Sequence, residues 1–223
     1  MLQAETLQFL TELKENNNKP WFDENRKTYE TARKNFVIIV ETLIKGISKF
    51  DKSIEEANLQ AKDCMFRINR DIRFSKNKEP YKTNFGASFS KGGKKAHSAG
   101  YYLHIEPTEC FVAGGIWMPE PEDLKKIRVE IDYSFEEFNG IVNTPAFKKV
   151  FPSGLDREAF TARPPKGYDE ENPAIEFIKL KSFTASSNFE SKESLKSDFI
   201  ENVLEKFKAM HPYIEFLNRA VEG

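Results

Sequence analysis

Apolar positions along this chain follow two rhythms. Leu7, Leu10 and Leu13 recur every third position, which predicts a short amphipathic helix over 4–15, ended by Asn16, Asn17 and Asn18. Pro20 suits the first turn of a second helix. Phe22, Tyr29, Phe36, Val40, Leu43, Ile47 and Phe50 then follow at spacings of three, four or seven, and predict one long helix over 20–50. After it the rhythm shortens. Residues 64–68 and 84–89 read as strands on either side of a basic, Pro-containing loop over 69–82, with Gly92-Gly93 as the closing turn. Tyr101, Leu103 and Ile105 alternate with Tyr102, His104 and Glu106, the period of two of a half-buried strand. Together with 110–117, across the turn Pro107-Thr108-Glu109, they predict a hairpin.

Helical spacing returns over 121–131, where Leu124, Ile127 and Ile131 mark a buried stripe, and then over 134–143 and 145–150. Residues 157–173 carry Pro164, Pro165, Gly167 and Pro173 and read as loop. A further strand is expected over 178–186 and a last helix over 192–220, which Pro212 should kink. No repeat and no flexible linker divides the chain. The expectation is a single α+β domain over 1–223, with an antiparallel-rich sheet packed by long N- and C-terminal helices.

Composition narrows the classes. With 39% hydrophobic and 31% charged residues the chain is globular, not disordered. No apolar run approaches the roughly 20 residues that span a bilayer, so no membrane partner is expected. No secretory signal is visible at the start. The two cysteines, Cys64 and Cys110, form no CxxC, so reduced thiols and a cytoplasmic location are expected. The net charge of −1 hides a strong asymmetry. Residues 62–95 hold ten Lys or Arg against three acids, a local balance of +7 that leaves −8 on the other 189 residues. Such polarisation points to an anionic partner.

Several long motifs resemble one family. They are Cys64-Met-Phe-Arg-Ile-Asn-Arg-Asp-Ile-Arg-Phe-Ser-Lys-Asn-Lys-Glu-Pro-Tyr-Lys82, Gly100-Tyr-Tyr-Leu-His-Ile-Glu-Pro107, Gly114-Gly-Ile-Trp-Met-Pro-Glu120, Pro164-Pro-Lys-Gly-Tyr168 and Asn17-Asn-Lys-Pro-Trp-Phe22. In this order, from about residue 5 to 218, they resemble the microbial and fungal family named domain of unknown function 2461. The resemblance implies a single cytoplasmic α+β domain and no established activity. Where that family usually has Asp-His-Pro, this chain has Glu171-Asn172-Pro173, so no histidine role carries over to Asn172.

Candidate chemistry centres on the basic segment. Arg67, Arg70 and Arg73 recur every third residue among Phe66, Ile68, Ile72 and Phe74, and Lys78, Tyr81 and Lys82 follow on a loop stiffened by Pro80. Guanidinium forks, ammonium groups and a phenol suit a phosphate or carboxylate. Arg163 and Lys166, on the Pro164-Pro165 loop with Tyr168, are candidates to cover such a ligand, and Arg128 lies near a buried stripe. His104, two residues from Glu106, is a candidate either for a structural ion pair or for a general base. The same arginines could instead join an internal network with Asp71, Asp23, Asp63, Glu106 or Glu120. Neither His97, His104 and His211 nor the cysteines have metal-ligand spacing, and there is no Walker or GxGxxG motif, so no metal and no cofactor is expected. The expected function is binding of an anionic small molecule or nucleotide in a basic cleft between 67–82 and 163–168, with or without catalysis. A nucleic-acid-binding module and a non-enzymatic protein-interaction domain are the alternatives.

Overall fold

The computed structural model describes residues 1–223. Helix α1 (Ala4–Glu15) is as expected, but the long N-terminal helix is two pieces, α2 (Lys19–Glu24) and α3 (Arg26–Ile47). The break is local chemistry. Asn18 caps α2 by accepting from the Trp21 amide at 3.0 Å, and the Asn25 amide donates to the Trp21 carbonyl at 3.0 Å, ending the helix one turn later. Two short helices follow, α4 (Lys52–Ala57) and α5 (Ala61–Cys64).

Residues 64–68 are not a strand. A capping box between Gln60 and Asp63 nucleates α5. Beyond it only Met65 bridges to Ala87. The next backbone groups are used by the basic loop closing on itself, with Lys82 N–H donating to Ile68 O at 2.7 Å and Arg70 N–H to Pro80 O at 2.9 Å. Little of the segment remains to pair with the sheet.

The sheet has four antiparallel strands in chain order: β1 (Phe85–Phe89), β2 (Gly100–Ile105), β3 (Cys110–Ile116) and β4 (Phe183–Phe189). The chain between β3 and β4 forms α6 (Pro121–Tyr133), α7 (Phe135–Val142), α8 (Pro145–Val150) and α9 (Ile175–Ile178). The last strand begins five residues later than expected. Asn172 Oδ1 accepts the Ala174 amide at 2.8 Å and turns the chain into α9, so pairing with β3 starts only at Phe183, opposite Ile116. The final helix, α10 (Phe199–Glu222), is preceded by a 3-10 turn at Ser191–Leu195 and carries on through Pro212.

Helices α3 and α10 cover one sheet face. Phe85, Ala87, Phe89, Tyr101, Leu103, Ile105, Val112, Ile116, Phe183 and Ala185 point into them, within one continuous core of 50 buried hydrophobic residues. Gly114 lies where α10 crosses β3, and a Cβ there would overlap the Met210 sulfur. This is a single α+β domain with an antiparallel sheet packed by N- and C-terminal helices, as the pattern predicts. No helix is long and apolar enough to cross a membrane.

Candidate functional site

The opposite face of the sheet carries no helix. Strand register aligns its side chains in rows. Ser88, Tyr102, Ala113 and Ser186 sit side by side across the four strands, with Gly86, His104, Phe111 and Asn188 in the next row. Small residues hollow the middle, and the 66–82 segment and the 117–120 and 156–158 turns raise the edges. The result is a cleft of about 840 Å³, within the roughly 300–1,000 Å³ usual for small-molecule sites. Lys82, Lys94 and His97 line it from the β1 side, and Glu120, Asp156 and Glu158 from the other.

Alternation along β2 places Tyr102, His104 and Glu106 on this open face. Tyr102 Oη lies 3.1 Å from His104 Nδ1, and His104 Nε2 lies 3.3 Å from Glu106 Oε2. The Asn84 amide nitrogen, 3.4 Å from His104 Nδ1, can only donate, so Nδ1 accepts and the ring proton sits on Nε2 toward Glu106. Burial holds His104 below the ordinary histidine value even though Glu106 pulls it upward, which favours the neutral ring. Burial, then the Glu106 charge, pushes the Tyr102 phenol up to about 12. The absence of a side chain at Gly86 is required here, since a Cβ would come within 2.6 Å of the Tyr102 hydroxyl.

The basic segment divides. Arg73 is taken by Asp71 in a two-bond fork at 2.9 and 2.7 Å. Lys78 donates to the Ile72 carbonyl at 3.0 Å, an internal loop contact. Tyr81 is buried and stacks on Phe22, with centroids 4.0 Å apart, so it is core and not ligand surface. Arg70 donates from Nε to the Tyr81 carbonyl at 3.0 Å, with Glu79 at 3.7 Å. Lys82 is different. It is half-buried over the Phe66 ring, 5.2 Å from the centroid, and makes no salt bridge. Burial, then Arg67 and Arg70, lower its pKa, so all three cations crowd one corner. Arg67 likewise has no carboxylate within 4.0 Å. The internal network with Asp23, Asp63, Glu106 or Glu120 does not form. Asp23 pairs with Lys19 and Arg26, Asp63 caps α5, and Glu106 takes Thr83 and His104.

Arg163 and Lys166 lie elsewhere. Their loop follows residues whose backbone pairs with β4 and its approach, Asp156 with Thr184 and Thr161 with Lys179, and Tyr168 lies by Arg128 on α6. Strand order puts the width of the sheet between that loop and residues 67–82, so the cleft is not formed between the two. Arg128 donates to the Leu180 carbonyl at 3.0 Å. No group of three or more His, Cys, Asp or Glu is arranged to hold a metal ion. Burial pushes the Cys64 thiol up to about 12, as for a packed and unreactive side chain.

The sequence offers Trp117 only as a possible anchor for a protein partner, and it gives no sign of its place at the cleft or of a buried network behind the sheet. Trp117 lies on the cleft rim, 64% exposed, beside Met118, which adopts a positive φ of 45° and donates its amide to Ser182 Oγ at 2.9 Å. A non-glycine residue in that region costs of order 1–3 kcal/mol and is concentrated at functional sites. Behind the sheet, Tyr101 Oη donates to Asp51 Oδ2 at 2.8 Å and lies 2.9 Å from His211 Nδ1. Tyr101 is 50 residues from Asp51 and 110 from His211 in sequence, and no local signal joins them.

Among known proteins, the family described as conserved hypothetical protein (DUF2461) matches residues 5–216. No curated protein and no solved structure matches.

Proposed function

The chain belongs to the DUF2461 family of conserved hypothetical proteins, and we propose that it binds a phosphate- or carboxylate-bearing small molecule at Lys82, on the edge of the sheet-face cleft, with Arg67 and Arg70 beside it. One observation carries this reading. Lys82 is half-buried beside Arg67 and Arg70, and neither Lys82 nor Arg67 has a carboxylate in salt-bridge range; of the acids of the basic segment, Asp71 is taken by Arg73, Asp63 caps α5 and Glu79 faces Arg70 at 3.7 Å. Crowded, partly desolvated cations repel one another, and an anion that bridges them relieves the repulsion. The carboxylates at the far side of the cleft weigh against a polyanion lying along it.

Thermal melting with inorganic phosphate and with citrate tests the proposal. The wild type should gain stability with rising anion concentration, by about 2.7 kcal/mol at 100 times the dissociation constant. Lys82→Ala and Arg67→Ala should lose that gain. No stabilisation of the wild type by either anion would overturn the reading. Phe74 is 95% exposed on the same basic loop, flanked by Arg73 and Lys76, and favours single-stranded nucleic acid as a second reading. An oligonucleotide bound there would be weakened by Phe74→Ala and indifferent to Lys82→Ala.

A further inference from the structure

The far half of the cleft has a chemistry of its own. Thr184 and Ser186 both donate their hydroxyl protons to Asp156, at 2.7 and 2.9 Å. With those protons committed, both hydroxyl oxygens can only accept from a ligand. Asp156 itself keeps spare lone pairs, since a carboxylate has about four acceptor positions and only one bond to each oxygen is used. Glu120 and Glu158 add further acceptors on the same wall. Against them stand Ser88 and Tyr102 on the floor. Such a surface calls for a ligand rich in hydroxyl donors that can also accept.

Two further observations fit the same ligand. The floor between the poles is kept low by Ala113 and Gly115, which leaves space above the sheet. The strained turn at Met118 presents the Trp117 indole at the rim, a flat apolar face of the kind that packs against the C–H face of a sugar ring. From Ser88 to Ser186 the row crosses three strand spacings, about 14 Å in all. Lys82 and Asp156 line the cleft from opposite edges of the sheet.

Building on the anion-site reading above, we infer that the ligand is a phosphorylated sugar or polyol. Its phosphate is held by Lys82 and Arg67. Its hydroxyls donate to Asp156, Thr184 and Ser186, and its ring or carbon chain lies against Trp117.

Calorimetric titration of the whole chain with inorganic phosphate, glucose 6-phosphate, ribose 5-phosphate, glycerol 3-phosphate and phosphoethanolamine separates the two levels of the argument. At least one of the three polyol phosphates should bind ten times more tightly than inorganic phosphate. Trp117→Ala, at an exposed position that does not hold the fold together, should erase that advantage and leave phosphate binding unchanged. Lys82→Ala should weaken all ligands together. Tryptophan fluorescence should change on binding of the polyol phosphate in the wild type and not in Trp117→Phe. If inorganic phosphate binds as well as every polyol phosphate, the inference falls and the anion site stands. If phosphoethanolamine binds most tightly, the acceptor wall serves an ammonium group and the polyol assignment is wrong. If nothing binds, the anion site and the inference fail together.

Discussion

Replacing Asp51 with Asn tests how the buried network behind the sheet stabilises the fold. Asp51 is 3% exposed. Its Oδ1 caps α4 by accepting from the Ser53 and Ile54 amides at 3.0 and 3.3 Å, and its Oδ2 faces Tyr101 and His211. Burial acts to raise its pKa, but His211 at 3.6 Å and hydrogen bonds from Ser53 and Tyr101 outweigh burial and hold the carboxyl at about 2 instead of 3.8. A lowered carboxyl stabilises the fold above its unfolded pKa and loses that contribution as pH falls through the folded value. The difference is worth about 2 kcal/mol at pH 6, about 1 kcal/mol at pH 3 and about 0.4 kcal/mol at pH 2. His211 has the opposite sign. The Asp51 carboxylate 3.6 Å away, against the effect of burial, raises its pKa above 6.5. Its contribution is complete below 6.5 and is lost as pH rises through the raised value. Asn keeps the cap oxygen and removes the charge. Urea denaturation of Asp51→Asn should therefore show a deficit of about 2 kcal/mol at pH 6 that closes toward pH 2. In NMR, the His211 titration midpoint should fall. A deficit of equal size at pH 3 and pH 6 would refute this account and would place the cost in packing or the cap.

Two further outcomes follow from the packing. Arg70→Ala should cost about 0.5–1.5 kcal/mol in denaturation and not the several kcal/mol of a severed buried ion pair. The Tyr81 carbonyl keeps its bond from Asn17 at 3.0 Å, and Glu79 stays solvated, so a loss above about 3 kcal/mol would contradict the geometry. Gly114→Ala should lower the melting temperature through a clash with Met210, at a cost of about 1–3 kcal/mol, and Met210→Ala added to it should recover part of the loss. An unchanged melting temperature in the single variant would show that α10 does not press on β3 there.

Much of this architecture is legible in local pattern. The helical spacing around α3 and α10 and the strict alternation of 100–106 depend only on which face must leave water, and sequence spacing carries that information directly. Alternation also placed His104 beside Glu106. Pattern failed where short polar side chains redirected the backbone. Asn25 divided a continuous apolar stripe, the Gln60–Asp63 box turned an apolar run into a helical turn, and Asn172 delayed β4. Each of these competes with secondary structure through one or two hydrogen bonds that hydropathy does not register.

The candidate site was legible in its charge and not in its shape. The local balance of +7 marked the basic segment, and the sequence could not tell which cations were engaged. Tertiary structure decided that. Asp71 took Arg73, the loop's own carbonyl took Lys78, Phe22 took the Tyr81 ring, and Lys82 with Arg67 remained unpaired. Strand order then separated Arg163 and Lys166 from them by the full sheet and put Asp156, Thr184 and Ser186 across the cleft in their stead. The physical reason is range. Periodicity and capping act over a few residues. A cleft is made where segments some 100 residues apart are brought together, by the packing of α3 and α10 on the other face of the same sheet.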